Sequence, residues 1–206
     1  ARSIQLPRIE AGSEVWDADR AIVCGGDDFE TLYPELFATS GIDRCKLQMM
    51  RTGAQKNGWQ LGPALAAGLT LRFYPAFEIC TATLPRYKAR VAREMAEYDR
   101  FAIHTLVSQT ADGALTLGDS HEYGLAVDIF NKSEIDELVM RNVRTFLTAP
   151  DLSIAERWYG VYAKHPEKSY VAIDAAPNVR IVTAAGGSGM TLSFGLAEQM
   201  IREMAI

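Results

Sequence analysis

The sequence predicts a mixed α/β fold of the α+β kind, in which a mostly antiparallel central sheet carries helices and strand-turn-helix units lie towards both ends of the chain. Three observations predict it. Asp112-Gly113 lies between two strand-like runs, Phe101 to Gln109 and Ala114 to Leu117, and glycine's ease at positive φ makes that pair a strong hairpin signal. Two apolar runs, Ala21 to Cys24 and Val179 to Ala184, end in glycine turns that open helical patterns. Between them, Tyr87, Val91, Met95 and Tyr98 step by four, four and three residues, which is one face of an amphipathic helix.

Composition bounds the function. With 48% hydrophobic and 23% charged residues, the chain has the make-up of a globular domain rather than of a disordered, collagenous or coiled-coil protein. Its 206 residues suffice to bury roughly two thirds or more of the unfolded surface. The net charge is −5, and acidic and basic residues are interspersed, so there is no electrostatic footprint for nucleic acid or an anionic bilayer. No apolar run approaches the ~20 residues of a membrane span, and Ala1 to Pro7 lacks a signal peptide's apolar segment. Cys24, Cys45 and Cys80 are odd in number and widely spaced, which suggests neither a disulfide framework nor a metal site. A reducing, cytoplasmic setting is expected. The chain opens at Ala1, without methionine, in a strand-rich region, as a fragment would.

The elements then follow in order. Phe29 to Ala38 reads as a short helix or irregular turn, and Lys46 to Met50 and Leu69 to Phe73 as strands. Pro85 to Arg100 reads as one helix with proline in its first turn. Ser133 followed by Asp136 resembles a capping box, and opens a helix on which Ile135, Leu138, Val139, Val143, Phe146 and Leu147 keep helical spacing up to Pro150. Ile154 to Tyr162, Tyr170 to Ile173 and Val179 to Ala184 read as strands, and a last helix runs from about Thr191 to Met204. Residues 44–165 would form the antiparallel sheet, and the two ends would pack together as pieces of a nucleotide-binding layer.

The stretch from Ala184 through Gly186, Gly187, Ser188, Gly189, Met190 and Thr191 carries the most chemistry. Glycine lets a ligand approach the backbone, and free N–H groups at a helix start favour negative charge. A phosphate, a carboxylate or the N1/C2=O edge of a flavin would suit it; a tight turn that merely packs helix on strand is the alternative. Gly25-Gly26 after Cys24 is a weaker feature of the same kind. A complete GxGxxG fingerprint with its later acidic residue is missing, and Gly186-Gly187-Ser188-Gly189 lacks the GxSxG spacing of a serine nucleophile.

Together these segments resemble the D-amino-acid-oxidase-like FAD-dependent oxidoreductases, which include glycine and sarcosine oxidases. Ala21 to Phe29 looks like the family's strand and glycine turn beside the flavin, and Cys45 to Met50 resembles its entry into the substrate domain. Leu115 to Glu122 resembles the substrate-domain strand with a glycine before a polar triplet, and Trp158 to Tyr162 and Gly186 to Thr191 look like the two late motifs near substrate and isoalloxazine. More narrowly, Gly118 to Gly124 and Gly160 to Pro166 look like a subgroup associated with aminophosphonate breakdown, thought to oxidise N-substituted aminoethylphosphonates.

The resemblance implies an FAD-binding part in residues 1–43 and 166–206, and a substrate-binding domain in 44–165. It implies oxidation of a small amine by hydride transfer to FAD, with oxygen or another acceptor taking the electrons. No dedicated catalytic acid or base is demanded. Cys24, Gly25, Gly26 and Gly186, Gly187, Ser188, Gly189, Met190, Thr191 would line the cofactor. Tyr162, Lys164, His165 and His121 would bind substrate.

Tyr162 and Lys164 share a strand face, whereas His165 points away unless the turn before Pro166 redirects it. His121 would hold a phosphonate or shuttle a proton, while His104, inside an apolar run, reads as a core histidine and Arg157 as a sheet anchor. Two departures stand out. The N-terminal fingerprint is missing, and Tyr162 stands where many relatives carry a carboxylate-binding arginine. A non-catalytic phosphate- or phosphonate-binding module, and a fragment that needs an N-terminal companion polypeptide, are the alternatives.

Overall fold

The computed structural model describes residues 1–204. In chain order the strands are β1 (Ser3–Gln5), β2 (Arg8–Ala11), β3 (Glu14–Asp17), β4 (Ala21–Val23), β5 (Asp43–Ala54), β6 (Leu65–Ala66), β7 (Leu106–Gln109), β8 (Ala114–Gly118), β9 (Glu122–Gly124), β10 (Ile154–Lys164), β11 (Val171–Ala176) and β12 (Val179–Thr183). The α-helices are α1 (Pro34–Ala38), α2 (Leu84–Glu94), α3 (Ala96–Arg100), α4 (Ser133–Phe146) and α5 (Gly189–Met204). The fold is mixed α/β with antiparallel sheets and helices, as the sequence predicts. No helix among the described residues is long and apolar enough to cross a membrane.

The chain divides into two compact units. The first comprises Ala1–Cys45, Gly124–Ala126 and the chain from Val161 onward. It holds a meander of β1, β2 and β3 and a second sheet in the order β11-β12-β4. In that sheet β11 and β12 form the hairpin expected around Asp174 to Asn178, and β12 runs parallel to β4, with Ile181 opposite Val23. Val23, Phe37, Ile42, Ala163, Val179 and Ile181 form its core, and Phe29 stacks on Phe37 at 5.0 Å.

The second unit comprises Lys46–Tyr123 and Val127–Gly160. Its sheet follows the order β10-β5-β8-β7-β6, with β9 also paired to β5. The β7/β8 hairpin forms as Asp112-Gly113 predicts, with Gly113 at φ +86 and Val107 opposite Leu117. Ile135, Val139 and Val143 of α4 and Val91 of α2 join Leu115 and Leu117 in the core.

Four elements depart from the sequence reading. Leu69 to Phe73 is no strand but a 3₁₀ turn over Gly68–Arg72. Leu69, Thr70 and Arg72 are all buried, so the segment has no two-sided face, and Arg72 satisfies its guanidinium by donating back to Leu69 O at 3.1 Å and to Ile103 O at 3.3 Å while pairing with Asp99. Phe101 to Thr105 is irregular rather than extended: Ala102 sits at φ +43, and the Ile103 amide returns to Tyr98 O at 2.9 Å. The single helix expected from Pro85 breaks at Met95, whose φ of −141° and ψ of 45° are not helical. The capping box does not form, because Ser133 is already the first helical residue. Asp136 instead accepts from Gln48 Nε2 at 2.5 Å and from Arg157 Nε at 2.6 Å, which makes Arg157 an anchor as expected.

Candidate functional site

β4 and β12 are adjacent and parallel, so both strands end at the same edge, and each runs into a glycine turn there. In open α/β layers this carboxyl edge is where ligands bind. Thr183 Oγ1, at the end of β12, donates to Gly26 O at 2.7 Å and so ties the two turns together. Cys24 is exposed, and with Gly25 it borders a cavity of about 390 Å³ lined also by Ile4, Val23, Asp28 and Leu32. Arg44 fixes the chain beyond the first turn, with Nε 3.0 Å from Asp27 O, Nη2 2.7 Å from Glu30 Oε2 and its guanidinium over the Phe29 ring.

The second turn leaves β12 through Ala184 at φ +58, passes Gly186 at φ +57, and enters α5 at Gly189. Gly186 takes a left-handed conformation, which glycine adopts without strain. Gly187 does not need to be glycine for internal packing, because an added Cβ would meet only Tyr162 Oη, at the ordinary distance of 3.8 Å. Gly187 is exposed, with space on its Cβ side, and α5 begins just beyond it.

Tyr162 and Lys164 flank this turn. A Cβ on Gly186 would lie 4.0 Å from both Lys164 Cγ and Tyr162 Cε2, and Lys164 forms a bridge with Ala185. Four segments singled out in the sequence, those of Cys24 to Gly26, Tyr162, Lys164 and Gly186 to Thr191, thus converge at one edge of the first unit. The other two residues go elsewhere. His165 accepts at Nδ1 from the Glu167 and Lys168 amides, at 3.0 and 3.1 Å, and so caps its own turn, with its ring beside Gly41. His121 belongs to the second unit, where it lies with His104 at a ring separation of 4.2 Å.

Two further features escaped the sequence reading. Lys46 is fully buried, donates to the Phe130 carbonyl and lies 5.0 Å from the Tyr159 ring centroid. Its place in an apolar strand marks it only in hindsight, since nothing in the spacing selects it over Lys164. Asp119 lies beside both histidines, and burial pushes its carboxyl up to about 6. Its two partners lie fifteen residues upstream and two residues downstream, and the upstream one arrives only once β7 and β8 have paired.

As a test of cofactor fit, the open Gly186-Gly187 backbone and the start of α5 suit the close approach of a flat, electron-rich ring, and so fit part of a flavin's surroundings. The sequence matches none of the curated proteins. Among solved structures, the fold is similar to L-proline dehydrogenase from P. horikoshii (TM-score 0.57, 14% identity), over 91% of this chain and 42% of that one. It is also similar to glycine oxidase from Geobacillus kaustophilus (TM-score 0.52, 11% identity, 88% of this chain and 40% of that one). L-amino acid deaminase from Proteus vulgaris matches at a TM-score of 0.50 and 14% identity, over 93% of this chain and 40% of that chain. The chain thus spans about 40% of the length of these structures. Residues 52–203 match the family model DAO, FAD dependent oxidoreductase, and with most of its length so matched the chain belongs to that family of FAD-dependent oxidoreductases.

Proposed function

We propose that this chain contributes the substrate-domain and C-terminal part of an FAD-dependent enzyme that oxidises a small amine or amino acid. The observation that carries the reading is the shared edge at which β4 and β12 deliver two glycine turns beside Tyr162 and Lys164. Bound there, FAD supplies the two-electron acceptor for oxidation at the carbon next to an amine nitrogen, and oxygen or another acceptor takes the electrons onward. The chain's own residues orient and neutralise. The positive end of the α5 dipole favours negative charge, Tyr162 Oη lies beside the Gly187 position, and the Lys164 side chain passes Gly186 at its Cγ, so that its ammonium would supply the cation.

The finer reading is an N-substituted aminoethylphosphonate substrate in a cytoplasmic enzyme. A phosphonate carries three oxygens and up to two charges, which suits a lysine with backbone donors better than it suits the lone tyrosine hydroxyl. The N-terminal fingerprint missing from this sequence would come from further polypeptide. The test is the visible spectrum of purified material together with its intact mass, followed by turnover of phosphonate-bearing and carboxylate-bearing amines. Flavin bands with a second polypeptide are expected, and Lys164→Met should raise KM for the phosphonate by about tenfold, a charge-assisted contact being worth about 1.5–3 kcal/mol. Colourless protein with no companion overturns the oxidoreductase reading, and an unchanged KM in Lys164→Met overturns the phosphonate.

A further inference from the structure

In the second unit the chain brings His104, Asp119 and His121 together, with one ligand atom of each within 4.8 Å of the others. Backbone bonds build the cluster. The His104 amide donates to Asp119 O at 2.9 Å, the Asp119 amide returns to His104 O at 3.0 Å, and the His121 amide donates to Phe101 O at 2.9 Å. These bonds lie just beyond the last β7/β8 pair, Leu106 with Gly118, so backbone hydrogen bonds tie together the segments that carry the three residues.

The side chains are oriented too. His121 Nδ1 lies 3.2 Å from Ala102 O, which can only accept, so Nδ1 carries the hydrogen and the ring's lone pair is on Nε2. That arrangement, an imidazole fixed by a backbone carbonyl behind it, is the usual support of a metal-ligating histidine. The His104 ring is buried and stacks on Phe73 at 4.2 Å. Asp119 Oδ1 is buried and accepts no hydrogen bond among the described residues. An unpaired buried carboxylate oxygen costs free energy that a cation would recover.

From this geometry we infer that His104, Asp119 and His121 form a binding site for a divalent transition-metal ion. Two imidazoles and one carboxylate suit Zn²⁺, Co²⁺ or Fe²⁺ better than Ca²⁺ or Mg²⁺, which favour all-oxygen sets. Ligands about 2.1 Å from a tetrahedral ion stand about 3.4 Å apart, so modest side-chain rotations close the cluster onto the ion. Three protein ligands leave a coordination position for water or an anionic group. The inference does not depend on the flavin reading, and its readout requires no enzyme turnover.

The test is a Co²⁺ titration of the untagged chain after chelator treatment, read by visible d–d absorption, with Zn²⁺ as competitor. We expect about one equivalent of Co²⁺ to bind, Zn²⁺ to displace it and Zn²⁺ to raise the melting temperature. Asp119→Asn, which keeps the shape and removes the charge, should weaken binding by about tenfold or more. His121→Gln, at a partly exposed position, makes the same test independently should Asp119→Asn fail to fold. A chain that gives neither a Co²⁺ band nor a Zn²⁺-dependent rise in melting temperature overturns the site, as does Co²⁺ binding that persists in the folded variants.

Discussion

At the turn between β7 and β8, the Asp112 carboxylate accepts from Thr110 Oγ1 at 2.5 Å, the Ala114 amide at 3.2 Å and Arg51 Nη2 at 2.5 Å. These bonds, Thr110's foremost, hold its pKa down to about 2 from an ordinary 3.8. A carboxylate depressed in the folded state stabilises the fold above its unfolded pKa, and that contribution is lost as pH falls from about 4 towards 2. Urea unfolding across this window should show the loss in the native chain and a flatter profile in Asp112→Asn; equal profiles would remove Asp112 from the acid response. Gln48 makes a second case. It is buried, bonds Asp136 Oδ1 at 2.5 Å and Lys132 O at 2.8 Å, and accepts from the Lys132 amide at 2.8 Å. Gln48→Ala strands those groups at the start of α4 and should cost about 1–3 kcal/mol in denaturant unfolding, whereas a loss within a few tenths would mean that water replaces the amide. The hairpin at Asp112-Gly113 was legible because the pair lies between two strand-like runs. The contacts of Gln48 were not, since no local spacing joins it to a residue eighty-eight positions later.

Elements were legible where one local preference met one environment. The β7/β8 hairpin, β11 and β12 follow from turn residues and alternation, and α4 from its 3.6 period. The reading failed at Leu69 to Phe73, where apolar residues suggested a strand but the buried Arg72 guanidinium needed carbonyls that only a coiled backbone supplies. It failed at Met95 because a continuous apolar stripe carries no mark of a local break in φ and ψ. The start of α5 was legible from its glycines, and it carries a prediction at this scale. Gly189 has a helical φ of −54°, and a Cβ there would lie 3.7 Å from Ala185 Cβ, an ordinary contact. Gly189→Val should therefore leave unfolding within about 1 kcal/mol of the native chain, valine being at least as helix-compatible as glycine. In material that carries flavin, the same side chain should eject the cofactor if the turn lines the ring as proposed. Flavin bands of unchanged intensity in Gly189→Val would remove this turn from the cofactor site, whereas lost bands in a chain that melts normally would place it there.

At the scale of the molecule, each unit is gathered from separated stretches, with crossings at residues 45/46, 123/124, 126/127 and 160/161. A core drawn from distant segments is hard to read along the sequence, because local pattern says which face is buried and not which segment buries it. The surface of the first unit shows a face that no described residue covers. Met200 is the buried residue of α5, whereas Met190 is 93% exposed and Phe194 87%. Leu192, Leu196 and Met200 step by four along one side of α5, yet only Met200 is buried, Leu192 being exposed and Leu196 half-buried. β4 is an edge strand, and Ile22 on it is exposed. Apolar side chains in such positions drive association unless other polypeptide covers them. On its own the chain should therefore self-associate with rising concentration in sedimentation velocity and bind an apolar dye. Met190→Lys combined with Phe194→Lys should reduce both while preserving the far-ultraviolet spectrum, since neither side chain contributes to the buried core. If a companion polypeptide supplies the missing fingerprint, the same double variant should also lower its co-purification. Self-association that persists unchanged would assign it to the β4 edge, where Ile22→Lys would then be the substitution that abolishes it.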